Sequence, residues 1–158
     1  MAEFSIVVDD ESATEQFGVL LAKTLPSGST VNLRGILGAG KTRLVQAVVV
    51  ALGVDRELVT SPTYILCQHY EGTRSVHHLD AYRIKDEDEF FEIGGHELLE
   101  SEALTFIEWG DRVAECLPED RLEIEIEVLD STQRRFRIVG FGPGMERVVE
   151  EIREIHNS

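Results

Sequence analysis

Apolar and polar positions alternate most clearly in the last third of the chain. Leu122, Ile124, Ile126 and Val128 interleave with Glu123, Glu125 and Glu127, and Phe136 and Ile138 interleave with Arg135 and Arg137. A period of two predicts an antiparallel hairpin. If apolar residues face one another, paired positions have an even sum, which sets Ile126 opposite Phe136. That register sets Glu127 against Arg135 and Glu125 against Arg137, and it requires an odd-length loop around Ser131. Pro143 then opens a helix whose stripe is Met145, Val148, Val149, Ile152 and Ile155.

Earlier in the chain the period changes. Ser12 and Glu15 have capping-box spacing, and Phe17, Leu20, Leu21 and Leu25 fall on one helical face before Pro26-Ser27-Gly28. Val31 and Leu33 mark a strand, and a glycine-rich turn from Gly35 to Gly40 leads into an apolar helix, Lys41 to Leu52. Tyr64 to Tyr70 and Ser75 to Leu79 read as antiparallel neighbours across a short loop. The acidic stretch from Asp86 to Leu99 is helical, broken at Gly94-Gly95, with Glu87 to Glu92 a solvated face. Leu104 to Ile107 is a buried-strand candidate, and Asp111 to Leu117 a short helix before Pro118. Strands and helices alternate early and antiparallel pairs come late. The pattern predicts an α/β fold: a mixed sheet with helices packed on it, ending in an antiparallel hairpin.

Length and charge narrow the picture. The 158 residues make one domain, 1–158. There are 30 acidic and 15 basic residues, a net charge of −15. Phosphate backbones are held by Lys and Arg, so this balance argues against independent binding of DNA or RNA and against docking on anionic lipid. It leaves room for a basic protein partner. Cys67 and Cys116 have neither paired spacing nor a secretory context, which predicts two reduced thiols and a cytoplasmic protein. No stretch is apolar enough to span a membrane.

The chemistry starts at Gly35-Ile36-Leu37-Gly38-Ala39-Gly40-Lys41-Thr42, which matches G-x-x-x-x-G-K-[ST] between a strand and a helix. Glycines let successive N–H groups point into one concavity, and the helix start adds positive potential. Lys41 supplies a point charge for terminal phosphates, and the Thr42 hydroxyl suits Mg²⁺. The expected nucleotide-binding residues are Gly35, Gly38, Ala39, Gly40, Lys41, Thr42 and Arg43, with ATP or ADP and Mg²⁺ as ligands.

A phosphate cradle needs a carboxylate at the tip of a neighbouring strand. Asp80 ends one apolar strand and Glu108 another. Both are candidate catalytic and metal-site residues with Lys41 and Thr42, and spacing does not say which one holds the metal. Ser61 and Thr63, in the loop after the cradle helix, are candidates either for sensing a terminal phosphate or for an ordinary turn. Trp109 next to Glu108 is a stacking or partner group, or core. His77 and His78 read as strand residues facing opposite sides, not as ligands.

Four blocks in order, Leu37-Gly38-Ala39-Gly40-Lys41-Thr42, Ser61-Pro62-Thr63-Tyr64, His78-Leu79-Asp80-Ala81-Tyr82-Arg83 and Glu108-Trp109, give the chain a resemblance to TsaE, the bacterial P-loop ATPases of tRNA threonylcarbamoyladenosine biosynthesis. The resemblance implies a three-layer P-loop NTPase-like fold and a weak Mg²⁺-dependent ATPase. It implies TsaD- and TsaB-type partners that place threonylcarbamoyl on adenosine 37 of tRNA, so tRNA is met only through that complex. It assigns nucleotide and metal roles to Lys41, Thr42, Asp80 and Glu108. It places the first helix near Thr14 and the hairpin near Arg134 to Arg135 on the adenine side. One position departs: the family usually has Asp after the first P-loop glycine, and here Ile36 stands there. Two alternatives use the same cradle, a small-molecule kinase and an ATP-dependent binding module with negligible hydrolysis. A GTPase is disfavoured, because no Asn-Lys-x-Asp segment is present.

Overall fold

A computed structural model describes residues 1–36, 38–59 and 67–158. Among these, seven strands form one mixed sheet in the order β1-β7-β6-β2-β5-β4-β3. The strands are β1 (Ala2–Val8), β2 (Thr30–Arg34), β3 (Cys67–Glu71), β4 (Ser75–Asp80), β5 (Leu104–Glu108), β6 (Arg121–Val128) and β7 (Arg134–Phe141). The helices are α1 (Glu11–Thr24), α2 (Lys41–Ala51), α3 (Glu87–Glu92), α4 (Gly95–Glu100) and α5 (Pro143–His156). Short 3₁₀ turns cover Arg56–Leu58, Ala81–Arg83 and Gly110–Cys116.

The centre of the sheet is parallel: β2 pairs with β5 and with β6, and β4 pairs with β5. Its edges are antiparallel, with β3 on β4, β7 on β6 and β1 on β7. The hairpin has the expected register, with Ile126 opposite Phe136, Glu127 opposite Arg135 and Glu125 opposite Arg137. Its charges pair differently in part. Arg135 meets Glu127 at 3.2 Å, but Arg137 reaches across to Glu3 of β1 at 2.6 Å.

Alternation along β5 sends Phe106 to one face and Ile107 to the other, and two apolar clusters result. The larger joins α1, α2 and α5 to the sheet through residues such as Phe17, Leu21, Leu44, Val48, Phe106, Phe136 and Val149. The smaller holds Leu79, Ala81, Ile84, Phe90, Ile107, Val113 and Leu117. The second helical layer therefore covers β4 and β5, while the β6–β7–β1 side of that face carries the Glu and Arg ladder. Among the described residues no helix is long and apolar enough to cross a membrane.

Several details depart from the sequence reading. The α1 cap is Asp10, whose side chain accepts from Ala13 N, so Ser12 lies inside the helix and the Ser12–Glu15 box does not form. A carboxylate one residue before the helix reaches the same orphan amides. In α5 the buried stripe ends at Ile152, and Ile155 is 45 % exposed, while His156 beside it packs edge-on against Phe4 of β1. The strand read from Tyr64 is described only from Cys67 onward.

Gly140 lies where β7 meets α5. A Cβ there would stand 2.5 Å from the Met145 carbonyl oxygen and 2.9 Å from Val149 Cγ2. Backbone on one side and a packed core residue on the other leave no room to relax. Gly140→Ala is expected to cost about 1–3 kcal/mol and lower Tm by several degrees in a thermal melt. An unchanged Tm would refute this packing.

Candidate functional site

β2 ends at the centre of the sheet, and the chain after it curls into the cradle. Gly35, Gly38 and Gly40 have φ of +152°, +83° and +113°, values that L side chains rarely adopt. A Cβ on Gly35 would also come within 2.8 Å of the Ile126 carbonyl oxygen. Gly40 caps α2 without a side chain, which leaves the first-turn amides of Lys41 and Thr42 for an anion. Leu37 lies outside the described residues, as do the candidate phosphate-sensing residues Ser61 and Thr63.

Lys41 is 4 % exposed. Its Nζ donates to the Gly35 carbonyl at 2.6 Å and lies 3.7 Å from the centre of the Trp109 ring. Burial lowers its pKa, and Glu108 and Asp80 oppose that shift. Thr42, one residue along α2, donates its hydroxyl to Glu108 Oε2 at 2.8 Å.

Glu108 and Asp80 are register partners at the ends of β5 and β4. Parallel pairing sets their side chains side by side on the α2 face. Asp80 also caps the turn that follows, accepting from Tyr82 N at 2.9 Å. Burial alone would push the Glu108 carboxyl up. Hydrogen bonds from His78 and Thr42, with the charge of Lys41, outweigh it and hold the carboxyl below its ordinary 4.5. A folded value below the unfolded one stabilises the fold above about pH 4.5, and this contribution is lost as pH falls through the folded value. Wild-type stability relative to Glu108→Gln is therefore expected to fall as pH is taken below about 4.5 in urea titrations. A pH-independent difference would contradict it.

Trp109 has φ +61°, the only positive value among described non-glycine residues. The turn is wedged in place: a Cβ on Gly110 would lie 2.4 Å from Asn32 Oδ1. The strain turns the indole back over Lys41, while Tyr82 packs against it with ring centroids 5.3 Å apart. Trp109 is half-buried, over the site on one side and packed against the smaller apolar cluster on the other.

Two cavities flank the cradle. One, of about 280 Å³, lies between Thr14, Gly40, Arg43, Arg134 and Phe136, on the side where the base of a nucleotide was expected. Arg134 donates to the Ala39 carbonyl at 3.1 Å, and Arg43 bonds Glu11. Of the two hairpin arginines expected here, Arg134 lines the cavity and Arg135 does not. Arg135 is exposed and paired with Glu127 on the opposite face, because neighbours along a strand point opposite ways. The other cavity, of about 430 Å³, is lined by Ile36, Trp109, Asp111 and the end of β6.

The sequence reading missed His78. It is 1 % exposed, and its Nε2 lies 2.6 Å from Glu108 Oε2. Parity was the available signal, since His78 shares a strand face with Asp80.

The donor set is oxygen-rich and hard: one hydroxyl and two carboxylates. Among the described residues no group of three or more His, Cys, Asp or Glu side chains could hold a metal ion alone. That combination fits Mg²⁺, which keeps several waters and shares its shell with phosphate oxygens.

Comparison with known proteins gives a concordant result. A family profile described as "Threonylcarbamoyl adenosine biosynthesis protein TsaE" matches residues 8–136. A Treponema pallidum protein named tRNA threonylcarbamoyladenosine biosynthesis protein TsaE is 38 % identical over 125 residues, covering 79 % of this chain and 92 % of its own. A Bacillus subtilis protein of the same name is 31 % identical over 140 residues, covering 88 % and 87 %. In three dimensions the chain is similar to the crystal structure of Bacillus subtilis YdiB, with a TM-score of 0.79 and 24 % identity, covering 99 % of this chain and 97 % of that one. The last match supports the α/β fold.

Proposed function

This chain belongs to the TsaE family, and on that premise we propose that it is a cytoplasmic Mg²⁺-dependent ATPase acting in threonylcarbamoylation of adenosine 37 of tRNA, with a TsaD/TsaB-type partner complex. The names of its relatives support the pathway. The hydrolytic reading is carried by one observation: at the mouth of a glycine cradle the Lys41 ammonium bonds the Gly35 carbonyl while Thr42 beside it bonds the Glu108 carboxylate.

Each residue has a task in that reading. Cradle amides and the α2 terminus take the phosphates, and the Lys41 ammonium leaves the Gly35 carbonyl to offset their charge. Trp109 closes over that ammonium. Thr42, with Asp80 or Glu108, would hold Mg²⁺, which when bound neutralises charge on the terminal phosphates. The carboxylate not used for the metal orients the attacking water. Arg134, Arg43 and Thr14 border the space for the nucleoside. With a net charge of −15, the protein meets tRNA through its partners.

Release of inorganic phosphate from MgATP, with no acceptor added, is the direct test, run with the protein alone and again with the partner complex. Phosphate in either arm supports the reading. Phosphate transferred only to an added small molecule would make the protein a kinase, and no turnover in any arm would leave a binding module.

A further inference from the structure

We propose that His78 is a positioning residue for hydrolysis, fixing the Glu108 carboxylate so that one defined oxygen faces the reaction. The inference rests on the ATPase reading above and extends it to a residue outside the cradle.

The argument begins with hydrogen-bond inventory. An ionised carboxylate only accepts, so His78 Nε2 must carry the hydrogen in its 2.6 Å contact with Glu108 Oε2. This holds whether the imidazole is neutral or charged. Thr42 Oγ1 donates to the same oxygen at 2.8 Å. Two donors from different elements, β4 and α2, converge on Oε2, so Oε1 carries no bond from either.

A carboxylate held by one donor can rotate about its last torsion and exchange its oxygens. Two donors fixed in a packed sheet and helix remove that freedom. Thr42 is itself a candidate metal contact, so its hydroxyl is not free to act as an anchor alone. His78 is. It is 1 % exposed, lies two residues before Asp80 on β4, and the β4–β5 register places it beside Phe106, with Asp80 beside Glu108. One strand thus delivers one acidic group to the site directly and orients the other through an imidazole. Oε1 then has a set direction, whether it holds the attacking water or takes part in the metal site.

The test uses three single variants and one double. His78→Leu keeps the bulk and removes the donor. Its kcat for phosphate release is expected to drop by about tenfold or more, with KM for MgATP within about threefold. His78→Gln offers an amide N–H in the same direction and should recover most of the lost rate. Glu108→Gln combined with His78→Leu should be no slower than Glu108→Gln alone, because His78 then has no carboxylate left to position. A readout without nucleotide accompanies these. The imidazole N–H of His78 should appear as a downfield-shifted proton resonance in the free protein and move upfield in Glu108→Gln.

Full His78→Leu activity, additive losses in the double variant, or an unshifted imidazole proton would overturn the positioning role while wild-type hydrolysis stands. Absence of wild-type hydrolysis, alone and with partners, would instead overturn the ATPase reading and the positioning role with it.

Discussion

Lys41→Ala should reduce ATP turnover by about 10²–10³-fold and leave the protein folded. The size follows from where the ammonium sits. It is shielded from water, aimed across the cradle by the Gly35 carbonyl, and covered by an indole face. In such a setting a unit charge acts on the terminal phosphates with little screening. The fold survives because alanine is the best helix former for the first turn of α2, and because the loss is one hydrogen bond and one cation–π contact, together about 1–3 kcal/mol. The leading apolar side chains of α2, Leu44, Val45, Val48 and Val49, are untouched. Phosphate release and a thermal melt on the same preparation give the answer. Turnover within a few-fold of wild type would remove the cradle from the chemistry.

Glu108→Gln should lower kcat by about 10²-fold while nucleotide affinity changes by only a few-fold. The side chain keeps its shape, and its carbonyl oxygen still accepts from Thr42 and His78. What it loses is charge, whether the carboxylate serves as base or as metal-site ligand. Calorimetric titration with MgADP beside steady-state hydrolysis separates the two effects. If hydrolysis persists in Glu108→Gln, the carboxylate does not take part and Asp80 becomes the residue to vary. A protein that only assembles on ATP would show partner binding that distinguishes ATP from ADP and ignores this substitution altogether.

Much of this arrangement was legible in the chain. The cradle is local, and its fixed spacing specifies glycine torsions and a helix start with no knowledge of the rest. Asp80 and Glu108 were found because each ends an apolar strand. Their lateral pairing was not legible, since it depends on β4 and β5 being neighbours. Parity restricted the hairpin to even-sum registers, and the one read from the chain is the one that forms.

Parity also held information left unused. Arg134 shares a face with Phe136 and Ile138, the core side next to the cradle, whereas Arg135 points away. His78 likewise shares the face of Asp80. Strand β1 escaped the reading for another reason. Its partner is β7, with Ala2 opposite Gly140, so pairing joins the two ends of the chain and Val7 blurs the alternation of Phe4, Ile6 and Val8. The α1 cap was misplaced because Ser12 and Asp10 both satisfy local capping rules, and only the path from β1 decides between them.

The sheet divides the apolar interior unequally, and the site straddles the division. Lys41 and Thr42 stand on the helix rooted in the larger cluster, whereas Asp80 and Trp109 lead into segments anchored by the smaller one. Opening free energy scales with what a segment buries, so residues 81–100 and 110–117 unlatch at lower cost than α2 and β2. A nucleotide that touches both sides would act as a clasp, and slowed deuterium uptake across residues 81–100 and 110–117, well beyond the atoms it contacts, is the expected sign of its grip.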